Sequence, residues 1–159
     1  MPIIIDGYNL LRSVQNCYEQ YASLDEAALC SFLSEYLKRT RTYAQIIFDG
    51  TGPLDKSELG GIENLEVYFS GPDTEADEII EEKIQEYSAP KRLVIVSTDR
   101  RIRDAASRRK ATAVTSDIFW VSLIEQLDKK MPIPEPKEKR HGITEAETDQ
   151  WLDEFGLED

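Results

Sequence analysis

The sequence predicts an α/β fold, a three-layer sandwich in which helices cover both faces of a mostly parallel sheet of about five strands. Apolar runs typical of buried parallel strands alternate along the 159-residue chain with stretches of helical periodicity. Four of these runs lead into an aspartate, at Asp6, Asp49, Asp99 and Asp117. The carboxyl ends of parallel strands lie at one edge of a sheet, which is where ligands bind in open α/β folds.

The first half of this domain is predicted to contain three strands and two helical stretches. Residues 2–5 form an apolar, β-branched run, and a short helical stretch follows Asp6. Residues 23–26 match a capping box, and apolar residues at the i, i+3, i+4, i+7 spacing after it predict an amphipathic helix. Residues 45–48 form the second strand, and alternating apolar residues over 65–69 predict a half-exposed third strand.

The second half alternates between helices and strands. Residues 74–77 open a helix with acids in its first turn, a pattern that suits the positive end of the helix dipole. Residues 93–97 form the most apolar strand, and a basic helix over 100–110 follows it. A short strand over 112–115 and a last apolar helix complete the expected order β-α-β-β-α-β-α-β-α.

Three segments are expected along the chain: a globular domain over residues 1–130, a Pro-rich and charged linker over 131–142, and a C-terminal tail helix over 143–159. The domain has an ordinary size for a single core. Closely spaced prolines predict that the linker is extended and stiff. In the tail, a second capping box precedes Trp151 and Phe155, which are expected to pack back on the domain.

The sequence predicts a cytoplasmic protein with no membrane partner, and it leaves the oligomeric state open. No apolar run approaches the roughly 20 residues that a membrane span needs. The N-terminus lacks the pattern of a secretory signal. Cys17 and Cys30 match no zinc-binding spacing; we expect reduced, partly buried thiols, and a disulfide between them is the alternative that stays open.

The net charge of −12 argues against nucleic acid as a partner, because phosphates repel an acidic protein. One stretch, which we call the basic segment, reverses this locally. Its basic residues are Lys91, Arg92, Arg100, Arg101, Arg103, Arg108, Arg109 and Lys110. A solvated helix face is the simplest explanation of such a run. The segment surrounds Asp99, however, and this position favours contact with phosphates beside an acidic site.

Each aspartate at a strand end has two interpretations. Asp is a preferred N-cap residue, so it could simply begin the next helix. Several carboxylates at one sheet edge, however, repel one another unless a cation joins them, and sets of oxygen ligands suit Mg²⁺ or Mn²⁺. The four aspartates together, with no Lys or His at the same strand ends, favour a metal site.

Four segments in this order carry a family resemblance: Ile5-Asp6-Gly7-Tyr8-Asn9, Phe48-Asp49-Gly50, Glu75-Ala76-Asp77-Glu78-Ile79-Ile80 and Val96-Ser97-Thr98-Asp99. Over about residues 1–128, the chain resembles the YacP-like branch of the NYN domains, which belong to the PIN-like nuclease superfamily. The resemblance implies a PIN-like fold, an acidic pocket that binds Mg²⁺ or Mn²⁺, and RNA as the substrate.

The resemblance also implies roles for individual residues. Asp6, Asp77 and Asp99 would be the catalytic and metal-binding carboxylates. Asp49 would lie at the edge of the pocket as a further ligand, and Asn9 would orient a ligand or phosphate. The candidates for a fourth acid are Asp104 and Asp117. The candidates for contacts with substrate phosphates, taken from the basic segment, are Arg100, Arg101, Arg103, Arg108 and Arg109.

The resemblance therefore implies a metal-dependent endoribonuclease, and hydrolysis of the metal type is expected to leave a 5′-phosphate and a 3′-hydroxyl. The only histidine, His141, lies in the polar stretch after the domain, which excludes histidine-dependent RNase chemistry. No Walker loop and no Gly-x-Gly-x-x-Gly motif is present, which argues against nucleotide hydrolysis and dinucleotide binding. The alternative that stays open is a non-catalytic protein of the same fold that binds RNA or ribosomes.

Overall fold

The structure, a computed structural model, describes residues 2–129, and the predicted linker and tail helix lie outside the described residues. The strands are β1 (Ile3–Asp6), β2 (Ala44–Phe48), β3 (Leu65–Phe69), β4 (Val94–Val96) and β5 (Thr112–Val114). The α-helices are α1 (Gly7–Cys17), α2 (Glu26–Thr40), α3 (Ala76–Glu86), α4 (Arg100–Arg108) and α5 (Ser116–Asp128). Short 3₁₀ turns cover Glu19–Tyr21 and Pro90–Arg92. None of the helices within residues 2–129 is long and apolar enough to cross a membrane.

The five strands form one sheet in the order β3-β2-β1-β4-β5, and every neighbouring pair is parallel. The central strand is β1, in which Ile5 pairs with Ile46 of β2 and with Val96 of β4. The predicted α/β fold with a mostly parallel sheet of five strands is therefore confirmed.

Apolar side chains fill both faces of this sheet. Ile3 and Ile5 pack on one face against buried residues of α1, α2 and α5. Ile4, Ile47 and Ile95 pack on the opposite face against α3 and α4. The two clusters confirm the three-layer arrangement, and they explain why β1 reads as a continuous apolar run: its alternate residues all face a core.

The order of the strands puts a crevice at the carboxyl ends of β1 and β4. The chain runs from β1 outward to β2 and β3, then returns to the other side of β1 to form β4 and β5. Such a reversal leaves a gap between the two connections, and open α/β sheets bind ligands there. Gly7 allows α1 to begin directly after β1, because a Cβ at this position would clash with the ring of Phe48.

Two helix ends differ from the predicted ones, each for a local reason. The cap of α2 is Asp25 rather than Ser23, because the Asp25 carboxylate accepts a hydrogen bond from the Ala28 backbone N–H at 2.9 Å. The basic helix α4 ends at Arg108 rather than at residue 110, since Lys110 has a left-handed φ of 67° that ends the helix.

Candidate functional site

Asp6 is the last residue of β1 and lies at the mouth of the crevice, although only 8% of it is exposed. It precedes α1, but its side chain makes no capping hydrogen bond to that helix. Instead, Asp6 Oδ2 accepts a hydrogen bond of 2.9 Å from the Ser97 hydroxyl. Helix capping, one of the two interpretations of this aspartate, therefore does not explain why a carboxylate is buried here.

Asp6 is surrounded by other carboxylates. The pKa of Asp6 is raised from its ordinary value of 3.8 to about 6, and burial is the largest cause. The charges of Asp77, Asp99 and Asp49 also raise it, whereas the hydrogen bond from Ser97 lowers it. At the carboxyl edge of the sheet, the fold thus places Asp49, Asp77 and Asp99 close enough to Asp6 for their charges to act on it. Their mutual repulsion is the electrostatic signature of a site that favours a cation.

Ser97, fully buried after β4, connects two of these acids. Its hydroxyl donates to Asp6 and accepts a hydrogen bond of 3.0 Å from the Asp99 backbone N–H. Asp99 Oδ1 in turn accepts from the Arg101 backbone N–H at 2.9 Å, which makes Asp99 the N-cap of α4. Both interpretations of Asp99 are therefore compatible, because the cap occupies one carboxylate oxygen and Oδ2 is left for another partner.

Asp49 and Asp77 are linked through the start of α3. Asp49, which follows β2, accepts a hydrogen bond of 2.9 Å from the Ala76 backbone N–H. This bond fixes the first turn of α3, where Asp77 lies. Burial and the nearby charge of Asp99 raise the pKa of Asp77, while the Arg101 guanidinium opposes the increase.

Asn9 clamps the loops that follow β4 and β5. Its amide oxygen accepts hydrogen bonds from the Thr98 backbone N–H at 2.9 Å and from the Thr98 hydroxyl at 3.0 Å. It also accepts one from the Ser116 hydroxyl at 2.6 Å. Because three donors occupy Oδ1, the predicted role of Asn9 toward a ligand would have to come from its NH₂ group.

The arginines of the basic segment have different surroundings. Arg101 forms a two-pronged hydrogen-bonded pair with Glu81, at 2.8 Å and 3.0 Å. Arg109 is partly buried and donates to the backbone oxygens of Ile84 and Tyr87, at 3.3 Å and 2.6 Å, which ties α4 to the end of α3. The exposed arginines of the helix outside these contacts are Arg100, Arg103 and Arg108.

The two candidates for a fourth acid lie on exposed helix surfaces. Asp104 is exposed on α4. Asp117 is exposed in the first turn of α5, where the nearby Thr115 side chain lowers its pKa. The carboxylates whose charges raise the pKa of Asp6 do not include either residue. Asp49, by contrast, is among the carboxylates whose charges raise the pKa of Asp6.

The donor chemistry of the crevice fits a hard divalent cation. Within residues 2–129, no three His, Cys, Asp or Glu side chains converge closely enough to hold a metal by themselves. Mg²⁺, however, is usually bound through one or two carboxylates and retains several waters. Carboxylates that repel one another, of which Asp6 is buried and Asp77 and Asp99 are partly exposed, suit this mode of binding, and no His or Cys lies among them.

The hydroxyl side chains that support Asp6 and Asn9 were not predicted from the sequence. Ser97, Thr98 and Ser116 join the ends of β1, β4 and β5, yet no periodicity or charge pattern singles them out. The available signal was position: Ser97 and Thr98 lie between a buried strand and a candidate metal aspartate. Glu81 was missed as well, because it looks like one of many acids on a helix surface.

Fold and site together define an α/β domain of nuclease type. The model of the YacP-like NYN domain family matches residues 3–158. The chain therefore belongs to this family, as the resemblance predicted, and the match also runs through the predicted linker and tail. A search of curated protein sequences found no match to this chain.

Solved structures agree with the fold. The chain is similar to the crystal structure of Rae1 (YacP) from Bacillus subtilis, with a TM-score of 0.63 and 18% sequence identity over 80% of this chain and 75% of that chain. It is also similar to a point mutant of that protein, with a TM-score of 0.60 and 18% identity over 79% of this chain and 76% of that chain. At this identity, the likeness is evidence for the shared architecture.

Proposed function

We propose that this protein is a Mg²⁺- or Mn²⁺-dependent endoribonuclease that hydrolyses RNA phosphodiester bonds at the crevice between β1 and β4. The observation that carries the proposal is the buried Asp6 carboxylate, whose pKa is raised to about 6 by burial and by the charges of Asp77, Asp99 and Asp49. Such an arrangement is unfavourable for folding alone, and perturbed carboxylates of this kind cluster at functional sites.

The acids and their supports would have separate tasks. Asp6, Asp77 and Asp99 would hold the cation, with Asp49 beside them as a further ligand or as the residue that fixes α3. Ser97 would orient Asp6 and keep the Asp99 loop in place through its two hydrogen bonds. A divalent cation bound there supplies an activated water and offsets the charge that develops on the phosphate oxygens.

RNA would reach the crevice along the basic segment. Arg100, Arg103 and Arg108 are exposed on α4, the helix that begins at Asp99. Arginine side chains bind phosphates independently of base identity, so these residues would position the backbone rather than select a sequence. Asn9, which is hydrogen-bonded to Thr98 just before Asp99, would contribute its NH₂ group.

A second function, binding of RNA or ribosomes without catalysis, is favoured by one observation. Within the described part of the chain, the acidic side chains do not converge into a set of three that holds a metal directly. A protein that kept the fold and the basic helix could bind RNA while its acidic site stayed too open for hydrolysis.

Cleavage of single-stranded RNA separates these two functions. We expect cleavage in Mg²⁺ or Mn²⁺, none in EDTA, and products with 5′-phosphate ends. Asp6→Asn and Asp99→Asn should abolish the activity, whereas Asp104→Asn, a change to an exposed acid on α4, should retain it. Retained RNA binding without cleavage in any divalent cation would contradict the nuclease proposal and support the binding protein.

A further inference from the structure

Arg101 lies beside the acidic site in an orientation that Glu81 imposes. Glu81 accepts two hydrogen bonds, from Nε at 2.8 Å and from Nη2 at 3.0 Å, which fixes the plane of the guanidinium group. The remaining nitrogen, Nη1, is 3.7 Å from Asp77 Oδ2 and 3.9 Å from Glu75 Oε1. Arg101 therefore turns its third nitrogen toward a predicted metal ligand.

These distances indicate charge compensation rather than a tight bond. At 3.7 Å, Nη1 is too far from Asp77 for a hydrogen bond, but close enough for an ion pair. The side chain of Arg101 is about half exposed, at 48%, and exposed ion pairs contribute little to folding stability. The arrangement consequently matters more for the charge of the site than for holding α3 and α4 together.

We propose that Arg101 is a built-in counter-cation of the acidic site, held beside Asp77 by Glu81, and that it lowers the affinity of the site for divalent cations. This inference rests on the proposed function, because it assumes that Asp77 binds the metal. In the metal-free protein, Arg101 offsets part of the repulsion among the carboxylates. An incoming cation then meets a site whose charge is already partly balanced.

The rest of α4 offers a matched comparison. Arg103 is exposed on the same helix and forms no ion pair with any residue in the described range 2–129. Replacing either arginine by glutamine changes the net charge equally. Any difference between the two variants therefore reports the position of the charge beside Asp77, not the total charge of the protein.

The test is a titration of the full chain with Mn²⁺ alone, followed by calorimetry at low ionic strength. Arg101→Gln should bind Mn²⁺ roughly three- to tenfold more tightly than the wild type, whereas Arg103→Gln should match the wild type. Added salt should shrink the difference, because screening weakens interactions between exposed charges. Circular dichroism and a thermal melt of each variant check that the fold is retained.

A second pair of variants tests the role of Glu81. In Glu81→Gln the amide oxygen can still accept a hydrogen bond from Arg101, but the negative charge that offsets the guanidinium is lost, so Mn²⁺ should bind more weakly than in the wild type. The control is Glu82→Gln, which removes the same charge from the neighbouring position of α3. We expect Glu82→Gln to change the affinity less than Glu81→Gln does.

The possible results are distinguishable. Equal affinities in the wild type and Arg101→Gln, or weaker binding in Arg101→Gln, would overturn the counter-cation inference and leave the metal site standing. Absence of Mn²⁺ binding in the wild type and in all variants would overturn the proposed metal site, and the inference would fall with it.

Discussion

The crevice between β1 and β4 and the flank formed by α3 and α4 carry charge in opposite ways. In the crevice, Asp6 is buried and its hydrogen-bond partner is the neutral Ser97 hydroxyl. On the flank, Glu81 and Arg101 are partly exposed, and each partner neutralises the other. The same types of side chain therefore have different consequences, because burial decides whether a charge is costly.

The buried carboxylate, rather than the exposed ion pair, points to a functional site. An exposed ion pair such as Glu81–Arg101 is common on helix surfaces and needs no functional explanation by itself. A buried carboxylate with carboxylates for neighbours lowers folding stability, so its presence calls for one. The two regions meet at Asp77, which is near Asp99 on one side and Arg101 on the other.

The largest change in the free energy of unfolding is expected for Asp6→Asn. The pKa of Asp6 is about 6 in the folded protein and 3.8 ordinarily, so the folded state binds more protons between these values. Stability from this group is therefore lost as pH rises from about 4 to 6. In EDTA at pH 8, Asp6→Asn should raise the free energy of unfolding by on the order of 3 kcal/mol.

Urea unfolding of wild type and Asp6→Asn at pH 4 and pH 8 measures this difference. Asn can still accept the Ser97 hydrogen bond, so packing should change little. The higher free energy of unfolding of Asp6→Asn should be present at pH 8 and nearly absent at pH 4, where Asp6 of the folded wild type is protonated. A clear loss of stability at pH 8 would show that Asp6 is not under electrostatic repulsion.

A smaller change in the free energy of unfolding, of opposite sign, is expected for Ser97→Ala. This change removes the donor to Asp6 and the acceptor of the Asp99 backbone N–H, both at a buried position. Unfolding free energy should fall by about 1–3 kcal/mol, since buried groups lose their partners. The pKa of Asp6 should rise further, which carboxylate NMR titration can follow. An unchanged pKa would mean that Ser97 does not stabilise the charged carboxylate.

The smallest changes in stability are expected for the exposed arginines of α4. Arg100→Ala with Arg103→Ala should leave the unfolding free energy nearly unchanged, because both side chains are exposed. RNA affinity should decrease, and the slope of its logarithm against log salt should flatten by roughly 0.7–0.9 for each phosphate that the variant no longer neutralises. Fluorescence anisotropy over a salt series measures the slope. An unchanged slope would place the RNA elsewhere on the protein.

Within the basic segment, Arg109 differs from the exposed Arg103 because it is partly buried. Arg109 donates hydrogen bonds to the backbone oxygens of Ile84 in α3 and of Tyr87 just after it. Unlike Arg103, it is therefore partly buried and not freely exposed to a phosphate. Arg109→Ala should therefore lower the unfolding free energy by about 1–2 kcal/mol, which urea unfolding measures. The sequence cannot reveal this difference between Arg109 and Arg103, since both are arginines of one basic segment.

The fold could be predicted because its signals are local and repeated. Continuous β-branched runs such as residues 3–5 identify buried parallel strands, and the helices between them leave few possible arrangements. The ends of elements depended on single contacts that periodicity does not report. Asp25 rather than Ser23 caps α2 because of where its carboxylate lies relative to the Ala28 N–H.

The placement of the strand-end aspartates could be predicted as well, but not the contacts that orient them. Aspartates at strand ends are visible in the sequence, and parallel strands bring them to one edge. The bonds of Ser97 to Asp6 and of Thr98 to Asn9 join residues 91 and 89 positions apart in the chain. Such pairings depend on which strands are neighbours, and no local pattern specifies the order β3-β2-β1-β4-β5.

Thermal stabilisation by Mn²⁺ tests the central claim, that the carboxylates of the crevice form a divalent-cation site. At about ten times the dissociation constant, binding adds about 1.4 kcal/mol and should raise the Tm of the wild type by roughly 4–6 °C. Asp104→Asn should show the same increase, because its carboxylate is exposed on α4, away from Asp6. Asp6→Asn should lose it. An equal increase in all three proteins would mean that Mn²⁺ binds outside the crevice and would contradict the account.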